Sequence, residues 1–255
     1  MLVGAMSLVR IALRICAVQA LKGRTLVGDN VLDSEIGALE TSAAGELKTP
    51  EEKQFISVYA DDSKQLSGLY LRSLVASGEI DLVFEAGVAS PHLVTDPETE
   101  EKVLMAGLPA TDANFEFYLD MTIRQIVDAF ADPSNEWADI FQSLIISVEK
   151  CQRARISGDT GGVRLAAHQM KMTVNAVAEP VAGQPLKPES PMAAFFAKCE
   201  SDLVHREPDM EKKIALMKAQ IAGNDEELAA AMRRYGITYT EADAMLLTLP
   251  DGGAP

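Results

Sequence analysis

The chain is short of nearly everything that announces chemistry. It has three cysteines, Cys16, Cys151 and Cys199, widely spaced and without a C-x-x-C pair. That argues against a disulfide framework or a zinc site and suits a reducing cytoplasm. Its three histidines, His92, His168 and His205, have no partner at ligand spacing, so each reads as a surface or strand residue. G-x-S-x-G, H-E-x-x-H and G-x-G-x-x-G are all missing. No catalytic, cofactor-binding or metal residue is therefore nominated, although a cysteine nucleophile needs its histidine only in space. Positive charge is scarce too: 23 Lys and Arg against 38 Asp and Glu leave a net charge of −15. This argues against holding nucleic acid on a general basic surface, though DNA could pass an acidic wall without sticking. Aromatics make up 5% of the chain, with one tryptophan, against 11 methionines, so the core is mainly aliphatic.

Long uninterrupted apolar runs are also lacking. The opening MLVGAMSLVRIALRICAVQALKG contains Arg10 and Arg14 one turn apart and no clear cleavage pattern. It reads as an amphipathic helix ended by Gly23 and not as a signal or membrane segment. Met6 is a candidate start alongside Met1. The overall 47% hydrophobic and 24% charged residues are those of a globular protein.

What the chain does have is a strong helical period between Thr111 and Val148. Phe115, Leu119, Ile123, Ile126 and Phe130 share one face, and Glu116, Asp120, Arg124 and Asp128 climb the other. Pro133 breaks the run. Ser134 is expected to restart it as an N-cap, with Trp137, Ile140, Phe141, Leu144 and Ile145 as a second apolar stripe. Phe115, Leu119, Ile123, Trp137 and Phe141 are the expected core anchors of a bent helical arm covering one face of a sheet.

The sheet is supplied on both sides of that arm. Val31 and Leu32 suggest a brief extended piece, and Phe55–Ala60 is β-branched and aromatic. Asp61 and Asp62 read as a solvated strand end. Ile80, Leu82 and Phe84 alternate with residues that include Glu79, Asp81 and Glu85, a half-buried strand with an acidic outer face. Ala89–Ala110 is compatible with a hairpin from Leu93 to Met105 or with a short helix, and is read as an interaction loop. Cys151–Ile156 and Val163–Val177 flank SGDTGG as a hairpin, with Met170, Met172, Val174 and Ala176 opposite Gln169, Lys171, Thr173 and Asn175. From Glu179 a Pro-rich connector leads to short helices. One starts at Ser190–Pro191, one runs from Met210 to Ile221, one is capped by Asn224, and a last one starts near Thr240. The expected division is 1–180 for the sheet domain and 181–255 for the connector and helical extension.

This order resembles the tail terminator proteins of long-tailed, lambda-like bacteriophages. The pieces that carry the resemblance are VRIALRICAVQALKGR, GDNVLDS, FISVYADD, EIDLVFEAGVA, ANFEFYLDMTIRQIVDAF and VRLAAHQMKMTVNAV. They span roughly residues 7 to 180 as an order of elements, while the long loops and everything after Pro180 depart from the small type member. The resemblance implies an α/β (α+β) fold with a mostly antiparallel sheet and helices packed on it. It also implies a virion structural protein, not an enzyme, made in the host cytoplasm and placed at the tail–neck junction. Such a homo-hexameric ring would cap the tail tube, stop its growth and meet a neck or head-completion protein, with no cofactor and no membrane. DNA would pass through without specific binding, and Glu79, Asp81 and Glu85 are the candidate channel-facing residues. The competing expectations are a head–tail connector or head-completion protein of a phage, or a cytosolic assembly factor.

Overall fold

A computed structural model describes residues 8–34, 53–64, 78–89, 91–95, 102–106, 113–160 and 163–222. The elements are α1 (Leu8–Leu21), β1 (Val31–Asp33), β2 (Lys53–Lys64), β3 (Glu79–Ala89), β4 (Pro91–Thr95) and β5 (Lys102–Ala106). They continue as α2 (Ala113–Ala131), α3 (Glu136–Ser143), β6 (Ile145–Thr160), β7 (Val163–Ala176), α4 (Pro191–Asp202) and α5 (Met210–Ala222). The fold is mixed α/β. A five-stranded sheet runs in the order β1-β2-β3-β7-β6, antiparallel except for β1 against β2. β4 and β5 form a separate two-stranded hairpin with Leu93 opposite Leu104, so the strand alternative holds for that stretch. No helix of the described residues is long and apolar enough to cross a membrane. The expected helices near Asn224 and Thr240 lie outside the described residues.

The chain divides into two compact units. One lies within Arg10–Gly68 and Ser77–Val177 and holds the sheet; the other lies within Met1–Val9, Leu69–Ala76 and Ala178–Pro255. In the sheet unit, strand alternation sends Ile56, Val58, Ile80, Leu82, Phe84, Met170 and Val174 to a buried inner face. α2 lays Leu119, Ile123, Ile126 and Phe130 on it, all buried. Phe130 meets Phe84 edge-on at 5.5 Å between centroids and stacks on Phe141 of α3 at 4.5 Å. The two arginines inside α1 have partners at the sheet edge: Arg14 pairs with Asp33, and Arg10 Nη2 donates to the Ala60 carbonyl. On the outer face, Phe55 crosses Gly87 so closely that a Cβ there would come within 2.6 Å of the ring. Only glycine fits beneath it.

The bend between α2 and α3 differs from expectation in two respects. The N-cap is Asn135 and not Ser134: its side chain accepts from the Ala138 amide at 3.3 Å. Its Nδ2 also donates to the Ala20 and Ala129 carbonyls, both at 2.9 Å. Ser134 instead gives its N–H and hydroxyl to Asp132, closing the turn. Further, α3 stops at Ser143, and Ile145 begins β6 instead of extending the helical stripe. The β-branched Ile145, Ile146 and Val148 favour the strand once Leu144 has been buried. β2 is also longer than its apolar core, continuing through Asp61 and Asp62 past a bulge between Ala60 and Ser63.

In the second unit, Ser190 caps α4 by accepting from the Ala193 amide, with Pro191 at the first turn. Met192, Phe195, Phe196, Cys199 and Leu203 are buried, as are Met210, Ile214, Met217 and Ile221 of α5. Lys218 of α5 pairs with Glu200 of α4 and lies over the Phe196 ring. Glu179 is buried, and its Oε1 accepts the Val9 amide hydrogen at 3.0 Å. Burial pushes its carboxyl up to about 7, against the lowering effect of the Val9 and Leu8 amides.

Two outcomes are expected. Trp137, buried at 9% exposure, should cost about 3–5 kcal/mol on truncation to alanine, measured by chemical denaturation; a loss below about 1 kcal/mol would mean it packs on little. For Glu179 the folded state holds the proton more tightly than the unfolded chain. Its contribution is therefore fully present below the ordinary glutamate range and lost as pH rises through about 7. Glu179→Gln should be stabilising by about 3 kcal/mol at pH 8 relative to pH 4. A wild-type-minus-variant difference that is flat with pH would contradict this.

Candidate interaction face

Helices pack on the inner face over β3 and β7, and the outer face carries an organised set of polar side chains. Alternation brings Tyr59 from β2, Glu79, Asp81 and Glu85 from β3, and Gln169, Lys171 and Thr173 from β7 to this side. They are linked to one another. Lys171 Nζ lies 2.8 Å from Asp81 Oδ2 and 3.1 Å from Asp61 Oδ2. Thr173 Oγ1 donates to Asp81 Oδ1 at 2.6 Å. Gln169 Nε2 donates to the Tyr59 hydroxyl at 3.2 Å, which in turn donates to Glu85 Oε2 at 3.3 Å.

The protonation equilibria follow from these contacts. Burial opposes ionisation of Asp81, but the hydrogen bonds from Lys171 and Thr173 outweigh it and hold the carboxyl below its usual range. The bonds to Asp81 and Asp61 raise Lys171 in turn. Burial, followed by the charge of Glu85, raises the Tyr59 phenol. At one end of the face lies an open depression of about 410 Å³, lined by Asp62, Lys64, Glu79, Asp81, Glu149 and Lys150 among others. Among the described residues no group of histidines, cysteines and carboxylates is arranged to hold a metal ion.

Glu79, Asp81 and Glu85 thus do share one face, but they do not form a bare acidic row. Asp81 is neutralised by Lys171, and Glu85 is engaged by Tyr59. Leu119, Ile123, Trp137 and Phe141 are all buried, whereas the side chain of Phe115 lies outside the described residues. A second charged cluster is one that residue spacing did not suggest. His168 of β7 has Nε2 2.9 Å from Glu116 Oε2 and Nδ1 3.2 Å from Asp120 Oδ1. Arg155 of β6 reaches Glu116 Oε1 at 2.7 Å. Through these contacts His168 and Arg155 tie α2 to the β6–β7 hairpin. Glu116 and His168 are 52 residues apart in the chain, and Arg155 and His168 are opposite in the β6–β7 register. His205 is exposed, and the side chain of His92 is outside the described residues.

No protein-family model matches the chain, and neither does any curated protein.

Lys171 is the cation on which the outer face depends. Lys171→Met should cost about 1 kcal/mol at pH 7, a modest figure because water screens the site. The penalty should shrink in acid as Asp81 takes up a proton, since a depressed carboxyl contributes stability only above its folded pKa. The double variant Lys171→Met, Asp81→Asn should recover most of the loss in urea titrations; no recovery would mean the two side chains are energetically independent.

Proposed function

We propose that this chain is a tail terminator of a long-tailed phage, a virion structural protein that forms a homo-hexameric ring. The ring would cap the tail tube, end its growth and present its other face to a neck or head-completion protein. The observation that carries the reading is the order of elements in the sheet unit. An amphipathic helix leads to a short strand, then to β2 and β3, then across a hairpin to the long α2, and back through the paired β6 and β7. This is the order on which the sequence resembles that family.

The division of the sheet supports it further. Helices pack on one face, while the other carries hydrogen-bonded polar side chains of the kind that meet a partner or line a passage. Its function would be exercised by surfaces, with no bond made or broken by the protein. DNA would slide past without being held, because a chain of net charge −15 repels phosphates. On this reading Asp62, Glu79 and Glu149, which line the depression on the outer face, would repel passing DNA more than Asp81, which Lys171 neutralises.

The test is assembly. Mixed with tail-tube protein, the purified chain should appear by native mass spectrometry as a hexamer, and imaging should find it at the head-proximal end of finished tubes. Tubes grown without it should overrun their length. A component found only on capsids would replace this reading with a head–tail connector, and absence from virions would remove both.

A further inference from the structure

The first N–H groups of a helix have no acceptor inside it. α1 has no acidic residue in its own first turn to meet them. Glu179, 170 residues further along the chain, does so: its Oε1 accepts from the Val9 amide at 3.0 Å, and the Leu8 amide bonds the same carboxyl. Glu179 is 7% exposed, so this is a buried acid at the start of a helix.

The two partners are not equally free to move. Ala176 donates to the Gly78 carbonyl and Val177 to the Leu144 carbonyl, which fixes the chain just before Glu179. Pro180, just after it, favours extended backbone at Glu179 itself. α1 is tied from Arg10 onward, since Arg10 Nη2 donates to the Ala60 carbonyl and Arg14 pairs with Asp33. Leu8 and Val9 lie ahead of both ties. They are 8% and 0% exposed, and the bonds to Glu179 are what hold their amides.

The carboxyl has no countercharge among the described residues. Burial pushes it up to about 7, and the Val9 and Leu8 amides oppose this only in part. The charged side chains of α1 are Arg10 and Arg14, both engaged elsewhere. Along its own stretch of chain the nearest are Lys171, bound to Asp81 and Asp61, and Lys187. A charge formed at Glu179 is therefore relieved by water, and opening the first turn of α1 admits it.

We propose that Glu179 is a proton-operated latch on the first turn of α1. Protonated, it keeps Leu8 and Val9 in place; ionised, it lets that turn open while α1 from Arg10 onward stays where it is. The opening is local, unlike a loss of stability of the whole chain, and it does not depend on the ring reading. It uncovers two apolar side chains, so an apolar helix end is offered in neutral and alkaline solution and withdrawn in acid. The closed turn binds the proton more tightly than the open one. Closure is thus fully favoured below about pH 4.5, weakens about tenfold per pH unit above it, and levels off past about 7.

Amide hydrogen exchange of the full chain, read by NMR and divided by the intrinsic rate of each amide, tests the latch. Protection at Val9 should fall about tenfold per pH unit between about pH 5 and 7. Local opening exposes little surface, so exchange at Val9 should not respond to low urea, whereas exchange at Ala17, Val18 and Leu21 should. Glu179→Gln keeps the acceptor oxygen and cannot ionise, so its protection at Val9 should be flat with pH. Wild-type protection that is flat over this range overturns the latch without need of the variant. Exchange at Val9 that follows urea in step with Leu21 would mean that the turn opens only with the whole fold, and overturns it too. The same slope in Glu179→Gln would assign the titration to another group.

Discussion

The sheet unit depends on one buried amide. Asn135 is 3% exposed and uses both its donors and its acceptor, tying the last turn of α1, the last turn of α2 and the first turn of α3 to one point. Burying an amide is costly unless each group is matched, so the site tolerates only a side chain with two N–H donors and one oxygen. With that point fixed, Phe130 is held between Phe84 and Phe141, and the helical layer meets the sheet at a single angle. Aspartate offers no donor there and serine too short a reach. The packing of three helices is therefore specified by hydrogen-bond geometry as well as by apolar area.

Much of this could be read from residue order, because the informative signals were local. The β6–β7 hairpin shows itself in the alternation of Met170, Met172 and Val174 with Gln169, Lys171 and Thr173, and α4 in Ser190 followed by Pro191. What escaped was decided by distant partners. The choice of Asn135 over Ser134 as a cap turns on the Ala20 carbonyl, 115 residues away. Leu144 and Ile145 fit a helical stripe as well as a strand, and pairing with β7 decides between them. The acidic row on β3 was legible as a row, but its neutralisation by Lys171 was not, since β3 and β7 meet only in the folded sheet.

The two faces of that sheet answer to different physics. The inner one gains from excluded water and tolerates exchange among aliphatic side chains of similar volume. The outer one carries a set of matched donors and acceptors, in which Lys171, Asp81 and Tyr59 each hold two partners. Side chains already held by one another lose little entropy when a partner settles on them, which suits a protein whose proposed work is done by contact.

The strand order has a consequence for how the chain is made. Glu79 of β3 finds its partner at Asn175, so β3 leaves the ribosome long before β7 exists to cover it. At ordinary synthesis rates that gap lasts about 5–20 seconds. Throughout it, the β2–β3 pair carries an open inner edge with Ile80, Leu82 and Phe84 beside it. The sequence between them supplies α2, which can shield the apolar side but not the unpaired backbone. Newly made chains crowded on one message would meet edge to edge, and the β6–β7 hairpin, arriving last, must displace any such contact. Slowing synthesis before β7 would lengthen the interval in which that edge stands open.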